Sequence, residues 1–153
     1  MRAMATWLVK TEPDVFSIDD FADVKVTDWT GVRNYQARNF LMAMEVGDEV
    51  LIYHSNAEPS GIVGLAKVHA KATPDKTQFD PKSEYFEPKA TTTTPRWFCP
   101  DLKFVRKFRR QIPLDELRSS KALDGLALLQ KGSRLSVIPV SGKHFDTILK
   151  MVS

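Results

Sequence analysis

The sequence predicts a mixed α+β domain built around one curved sheet. The chain has 153 residues, of which 42% are hydrophobic and 27% are charged, as in a single globular domain with its own core. Short apolar runs rich in Val, Ile, Leu and aromatic residues recur along the chain and predict strands. Amphipathic segments separate these runs without regular alternation, which favours an α+β fold over a parallel α/β fold.

The first part of the chain predicts a strand, a short helix and a second strand. Residues 5–10 alternate weakly between apolar and polar side chains, as in an opening strand. Ser17 is a suitable N-cap, with an acidic residue three positions later, for a helix that ends near Asp23. Residues 24–28 form a brief strand that leads to a turn at Gly31.

The middle of the chain predicts a longer helix and two further strands. Apolar side chains recur at helical spacing from about residue 34 or 35 to Met44, so this helix has one core-facing stripe. Gly47 and the residue after it supply a turn. Residues 49–54 and 61–70, rich in apolar and β-branched residues, are predicted strands with a loop at 56–60 between them.

Residues 73–95 are the least regular part of the chain. They contain four of its nine prolines and a run of four threonines. A connection of this length is unusual in a compact domain unless it carries short pieces of structure or a function. We therefore expect it to be a lid or a rim.

The last part of the chain predicts two strands, two helices and an apolar turn. Even spacing of Leu102, Phe104 and Phe108 indicates a long strand, and Pro113 is favoured at the first position of a helix. In chain order these elements are strand 96–109, helix 113–119, apolar turn 126–129, strand 134–140 and helix 142–151.

The composition excludes several classes of protein. No stretch approaches the ~20 apolar residues of a membrane span. The apolar run near the N-terminus is too short for a secretory signal. Cys99 is the only cysteine, so no internal disulfide forms and a cytoplasmic location is expected. Three scattered histidines have no metal-ligand spacing, so we expect no metal and no cofactor. Residues 1–3 read as an extension before a single domain at 4–153.

Residues 29–40, with the sequence WTGVRNYQARNF, carry more hydrogen-bonding side chains than an amphipathic helix needs. A tryptophan offers a stacking face, while Asn and Gln offer paired donors and acceptors. Arginine offers a planar fork for phosphate or carbonyl oxygens. This set suits a flat, polar, uncharged ligand such as a nucleobase.

Seven motifs in order along nearly the whole chain resemble the EVE family, a branch of the PUA-like superfamily. They are WLVKTEP at residues 7–13, GVRNYQARN at 31–39, GD at 47–48, YHSN at 53–56, GIVG at 61–64, Trp97, and RLSV at 134–137. Thr30 departs from the acidic residue expected in many relatives.

The resemblance implies a PUA-like open β-barrel of mixed strands with short helices around it. It also implies kinship with YTH domains, which hold a methylated adenine in an aromatic cage. By that likeness the chain is expected to be a non-catalytic module that binds a modified, methylated base in DNA or RNA. Proteins of this family are also associated with restriction-type machinery. We expect a monomer.

The candidate base pocket combines aromatic walls with polar side chains at strand and helix ends. Each has a plainer interpretation: the tryptophans could be core residues, Asn34 could be only a helix cap, and Lys10 and Glu12 could be surface charges at a strand end. The candidates are Trp29, Trp97, Lys10, Glu12, Arg33, Asn34, Tyr53, Ser55 and Asn56.

Basic residues offer candidate phosphate contacts. The net charge of +3 permits nucleic acid as a partner without arguing strongly for it. A solvated basic face is the plainer interpretation of such a run, whereas contact with a phosphate backbone would make binding depend on salt. The candidates are Lys103, Arg106, Lys107, Arg109 and Arg134.

Two other functions remain open from the sequence. One is a small amidohydrolase that acts on modified nucleosides, as in the ASCH branch of the same superfamily, with Lys10, Thr11 and Glu12 as its reactive groups. Adjacent strand residues point to opposite faces, which disfavours convergence of Lys10 with Thr11. The other is a scaffold that docks protein through its basic strand.

Overall fold

The predicted strands assemble into one six-stranded sheet. A computed structural model describes residues 4–153 and places the strands in the order β2-β5-β4-β3-β1-β6. β1 and β3 are parallel, and the other neighbours are antiparallel. The strands are β1 (Thr6–Thr11), β2 (Val26–Asp28), β3 (Glu49–His54), β4 (Gly61–Pro74), β5 (Phe98–Pro113) and β6 (Val137–Val140).

Four α-helices pack around the sheet, and β2 and β6 form its two edges, so the sheet stays open over residues 4–153. This is the α+β, PUA-like architecture that the sequence predicts, although its strands do not close into a barrel. The helices are α1 (Ile18–Val24), α2 (Tyr35–Ala43), α3 (Leu114–Ser119) and α4 (Gly142–Met151). Short 3₁₀ helices cover Lys76–Phe79, Lys121–Leu123 and Ala127–Leu129. The predicted extension at residues 1–3 lies outside the described residues.

Alternating side chains give the sheet two buried faces. Leu8 of β1 belongs to a core cluster that α3 and α4 cover, whereas Trp7 and Val9 belong to a second cluster with α1 and α2. This alternation is the period of two expected for a strand. We call the first cluster the α4 face and the second the α2 face.

The N-cap residues predicted from the sequence cap the two helices of the α2 face, α1 and α2. The Ser17 hydroxyl accepts from the backbone N–H of Asp20, whose carboxylate accepts from the N–H of Ser17 in return. The Asn34 side chain accepts from the N–H of Ala37 at the start of α2. Both contacts satisfy N–H groups that a helix terminus leaves without an intrahelical partner.

The apolar residues that stand at even spacing in β5 do not all lie on one face of the sheet. Leu102 packs in the α2 face, whereas Phe108 packs in the α4 face. The register between β4 and β5 shifts between Leu65 and Ala66 and again between Ile62 and Gly64. A bulge of this kind moves the following side chains to the other side of a strand.

The predicted strand bounds also shift. β6 begins at Val137, three residues later than predicted, while β4 continues to Pro74 and β5 to Pro113. Residues 134–136 instead precede β6, where Arg134 and Ser136 line the cavity described below and the Ser136 carbonyl accepts from the Lys10 N–H at 2.9 Å. Strand ends are set by pairing with neighbours, which local composition does not encode.

Asp48 joins the start of β3 to the start of β1 on the α2 face. Its carboxylate is fully buried and accepts from Trp7 Nε1 at 3.0 Å and from the backbone N–H groups of Glu45 at 3.0 Å and Ala5 at 3.2 Å. A buried carboxylate is tolerated when donors surround it in this way.

Replacing Asp48 with Ala is expected to lower the free energy of unfolding. Loss of the acceptor leaves the buried Trp7 Nε1 and two partly buried backbone N–H groups without a partner, which costs on the order of 3 kcal/mol. Urea denaturation measures the change. Asp14→Ala, at an exposed aspartate, is the matched control and should leave the midpoint unchanged; equal midpoints for the two variants would contradict the role of Asp48.

Candidate functional site

A cavity of about 890 Å³ opens at the ends of β1 and β3 on the α2 face. Four parts of the chain line it: the end of β1 and the turn after it, the segment between β2 and α2, the loop after β3, and the residues before β6. Two residues of the long connection between β4 and β5, Glu84 and Tyr85, also line the cavity. Its volume lies in the range of ligand pockets in proteins.

Trp29 forms a rigid wall of the cavity. Only 6% of the residue is exposed, and its ring centroid lies 6.0 Å from those of Phe16 and Phe21. Phe16 lines the same cavity. Trp29 is therefore both a core residue of the α2 face and a residue that lines the cavity. The sequence analysis gave these as two alternative roles, and the structure combines them.

Tyr85 supplies a second aromatic wall that the sequence analysis missed. Its ring lies against Gly31, where the backbone has a φ of +89°. A Cβ atom at residue 31 would lie 2.9 Å from that ring, so glycine is required both by the left-handed backbone and by the close approach. The sequence signal that could have pointed to Tyr85 was the length of the connection at 73–95. We predicted a lid or a rim there but named no residue of it as part of the pocket.

Arg33 fastens that connection to the segment after β2. Its guanidinium donates to the Tyr85 carbonyl at 2.8 and 3.2 Å, to the Thr77 hydroxyl at 3.0 Å and to the Asp75 carboxylate at 3.1 Å. The guanidinium carbon also lies 5.4 Å from the Tyr85 ring centroid and 5.3 Å from that of Trp97. Arg33 lines the cavity, but its donors serve the protein.

Asp75 is the buried partner of this arginine. It also accepts from the Gly31 N–H at 2.9 Å and from the Thr77 N–H at 2.8 Å, with only 1% of the residue exposed. Burial alone would raise the pKa of Asp75, but the hydrogen bonds from Thr77, Gly31 and Arg33 outweigh it and lower the pKa. The carboxylate is therefore ionised when Arg33 pairs with it.

The ends of β1 and β3 bring four polar side chains to the cavity. Lys10 near the end of β1 and Glu12 directly after it both line the cavity, as do Ser55 and Asn56 after β3. Asn56 Nδ2 donates to Glu12 Oε1 at 2.6 Å, and Asn56 takes a left-handed backbone with a φ of +49°. This hydrogen bond fixes one carboxylate oxygen and leaves the other to face a ligand.

Lys10 is a half-buried cation at the cavity. Burial lowers the pKa of its ammonium group, and its Nζ lies 5.8 Å from the ring centroid of Tyr53. Within residues 4–153 it makes no ion pair. A positive charge in this position is available to a ligand oxygen.

Three predicted pocket residues do not line the cavity. Trp97 is buried beneath Tyr35, whose ring stacks on it at 4.7 Å between centroids. Tyr53 is a core residue of the α4 face under Lys10. Asn34 caps α2 and is exposed.

The basic cluster of β5 is dispersed. Arg134 lines the cavity, but the four predicted phosphate contacts on β5 do not. Lys107 pairs with Asp19 of α1 at 2.9 Å, whereas Arg109 donates to the Val152 carbonyl near the end of α4 at 3.2 Å. The bulges of β5 separate these side chains.

The charges that line the cavity balance. Lys10, Arg33 and Arg134 oppose three acidic side chains, Glu12, Asp28 and Glu84. Such a lining suits a neutral ligand with donors and acceptors at its edges better than an isolated phosphate. Within residues 4–153, no group of three or more His, Cys, Asp or Glu side chains could hold a metal ion. No helix in the same residues is long and apolar enough to cross a membrane.

The fold is that of a PUA-like domain, with a large cavity at the ends of its parallel strand pair. The model of the EVE domain matches residues 5–151. The chain belongs to the EVE family.

Relatives at high identity cover almost the whole chain. Human thymocyte nuclear protein 1 is 40% identical over 95% of this chain and 72% of its own length. A hypothetical protein from Leishmania major has a solved structure with a TM-score of 0.94, at 48% identity over 97% of this chain and 94% of that chain. The human THYN1 protein was solved in complex with DNA containing 5-methylcytosine, with a TM-score of 0.92 and 39% identity over 97% of this chain and 98% of that chain.

An ASCH protein of Zymomonas mobilis shares only the fold, with a TM-score of 0.57 and 10% identity over 97% of this chain and 99% of that chain. Two of the three residues named for the amidohydrolase alternative are engaged in hydrogen bonds within the protein. The Thr11 hydroxyl donates to the Phe16 carbonyl at 2.8 Å, and Glu12 accepts from Asn56.

Replacing Arg33 with Lys is expected to loosen the connection that carries Tyr85. A lysine cannot reproduce the planar fork, so two or more charge-assisted hydrogen bonds are lost and amide exchange in residues 76–90 should accelerate about tenfold. Hydrogen exchange with mass spectrometry measures this. Arg118→Lys, at an exposed arginine of α3, is the control; unchanged exchange in the Arg33 variant would refute the fastening role.

Proposed function

We propose that this chain is a non-catalytic module that binds 5-methylcytosine in DNA, with the modified base held out of the stack and inside the cavity. The observation that carries this proposal is the cavity itself, with aromatic walls and a balanced polar lining. Support comes from the human THYN1 protein, which has the same fold at 39% identity and was solved with DNA containing 5-methylcytosine. In this proposal residues 4–153 act as one EVE domain.

The proposed pocket gains affinity from stacking and from exclusion of water. A base that leaves a duplex loses its stacking partners, and an aromatic side chain replaces them with ~1–3 kcal/mol per base. Tyr85 is only half buried and would stack on the base, while Trp29 and Phe16 add apolar surface to the same cavity. Burial of one methyl-sized group adds about 0.8 kcal/mol, so the methyl by itself gives modest discrimination.

Polar groups at the cavity would read the edge of the base. Cytosine presents an amine donor beside a ring nitrogen and a carbonyl, both of which accept. Glu12 has one oxygen free of its Asn56 bond and would accept from the amine. Lys10 and Ser55 would donate to the acceptors, and Arg134 at the rim would contact a phosphate.

The remaining predicted residues take supporting roles in this proposal. Arg33 positions Tyr85, Asn34 caps α2, Tyr53 packs under Lys10, and Trp97 stands behind Arg33. Contacts of Lys103, Arg106, Lys107 and Arg109 with phosphates stay predictions, as do RNA as a partner, association with restriction-type machinery, and the monomeric state. The cytoplasmic location also stays a prediction, since the human relative is named a nuclear protein.

Binding to duplexes that differ only in one central base tests the proposal. Fluorescence anisotropy should show tighter binding to 5-methylcytosine than to cytosine, and Tyr85→Ala should weaken binding to the modified duplex about tenfold through lost stacking. Phe86→Ala is the matched control, because Phe86 is the next residue, is exposed and does not line the cavity. Equal affinity for both duplexes, or equal affinity of wild type and Tyr85→Ala, would overturn the proposal.

Glu12→Gln should shift the preferred base from 5-methylcytosine toward thymine. Thymine has the same methyl group but an acceptor in place of the amine. If Asn56 keeps its bond to the side-chain carbonyl, the new amide presents a donor to the base, and the ratio of affinities for 5-methylcytosine and thymine should fall on the order of tenfold.

Glu84→Gln is the control for this change, since it removes a second cavity carboxylate that has no bond to Asn56. Competition binding with 5-methylcytosine and thymine duplexes gives the ratio for each variant. An unchanged ratio in Glu12→Gln would remove Glu12 from base reading.

A further inference from the structure

At the start of α2, aromatic rings and guanidinium groups form a continuous stack that runs from the surface inward. The Arg38 guanidinium carbon lies 4.8 Å from the Tyr35 ring centroid, and the Tyr35 ring stacks on Trp97 at 4.7 Å with an interplanar angle of 20°. Arg33 follows at 5.3 Å from Trp97 and 5.4 Å from Tyr85. We call this series the α2 stack. It connects the surface of α2 to the wall of the cavity.

The outer end of the α2 stack is more exposed than its packing role requires. Tyr35 retains 51% exposure although one of its faces covers Trp97. Its neighbours Asn34, Gln36 and Asn39 are exposed polar residues. They belong to the polar set that marked residues 29–40 in the sequence, and the cavity does not use them.

The Arg38 guanidinium is fixed by hydrogen bonds to neutral groups. Nε and one terminal nitrogen donate to Asn39 Oδ1 at 3.2 and 2.9 Å, and the other terminal nitrogen donates to the Arg96 carbonyl at 2.9 Å. These three bonds leave two of the five N–H groups of the guanidinium for a ligand. Both partners are neutral acceptors, so the positive charge is oriented but not neutralised.

The charged residues of α2 and of the segment that leads to it are all basic. Residues 29–44 contain two arginines and no acidic residue. At the far end of α2, Lys71 Nζ donates to the carbonyls of Met42 and Met44 and pairs with Glu45 at 3.4 Å. An anionic partner meets no acidic side chain of α2 on this surface.

We propose that Tyr35 and Arg38 form a second DNA contact, which binds the sugar–phosphate backbone outside the nucleotide held in the cavity. Arg38 donates to a phosphate, and the exposed edge of the Tyr35 ring packs against the adjoining deoxyribose. This inference rests on the proposed function, because the α2 stack leads from the cavity wall to this surface. Backbone contacts position DNA without reading its sequence.

Two ligands separate this contact from the cavity. The first is a duplex with one central 5-methylcytosine, and the second is 5-methyldeoxycytidine monophosphate, which has no flanking backbone. Arg38→Ala and Tyr35→Ala should each weaken duplex binding about fivefold in fluorescence anisotropy. Binding of the mononucleotide, followed by NMR titration, should not change. Arg38→Ala should also lower the slope of log affinity against log salt by about 1.

Arg118→Ala is the matched control, since Arg118 is an exposed arginine on α3, against the α4 face of the sheet. An unchanged thermal unfolding midpoint would show that Tyr35→Ala does not disrupt the packing around Trp97. Tyr35→Phe keeps the ring and should retain most of the duplex affinity. Equal duplex affinity of Arg38→Ala and Arg118→Ala would overturn the inference. A parallel loss for duplex and mononucleotide would also overturn it, because the α2 stack would then only support Tyr85.

The same data distinguish this inference from the proposed function. A wild-type protein that binds methylated and unmethylated duplexes equally would contradict base recognition, yet Arg38→Ala could still weaken both and uphold the backbone contact. A wild-type protein that binds the mononucleotide but no duplex would leave the cavity as a ligand site and overturn the backbone contact.

Discussion

The buried carboxylate of Asp75 is the constraint on which the cavity depends. It accepts hydrogen bonds from Gly31 and Arg33 on one side and from Thr77 on the other, so it joins two segments that are more than forty residues apart. A buried charge is tolerated only when it is paired and hydrogen-bonded, which makes the three partners interdependent. Arg33 extends this joint to the Tyr85 carbonyl. The Tyr85 wall of the cavity is therefore held by polar contacts, whereas the Trp29 wall belongs to the hydrophobic core.

The parallel pairing of β1 with β3 explains why the polar side chains meet. Parallel strands end at the same edge of a sheet, and here Lys10 is level with Tyr53 and Thr11 with His54. The residues that follow each strand, Glu12 and Asn56, then come within 2.6 Å. Every other neighbouring pair in this sheet is antiparallel, so this edge is where two carboxyl ends coincide.

Local signals predicted the elements well, because periodicity and caps are properties of short segments. The Ser17 and Asn34 caps and the apolar stripe of α2 are examples. Tyr85 was beyond such reasoning, since its position depends on hydrogen bonds to Arg33 across 52 residues. The position of Trp97 was also beyond the sequence. A tryptophan beside an irregular segment has the same sequence context whether it lines a cavity or packs behind the residues that line it. Bulges in β5 likewise overrode the even spacing that grouped its apolar residues.

Lys10 shows why the cavity is more than a gap in packing. Burial disfavours its charged form, which lowers the pKa, and the described residues supply no carboxylate within ion-pair distance. The Tyr53 ring at 5.8 Å is a weak substitute for such a partner. A lysine that served only the fold would be more stable exposed, or replaced by an apolar residue of similar length. Groups held in such unfavourable environments concentrate at functional sites. In the proposed function, a ligand carbonyl in the cavity would supply an acceptor for Lys10, and binding would relieve the cost of its burial at the point where the base would be read.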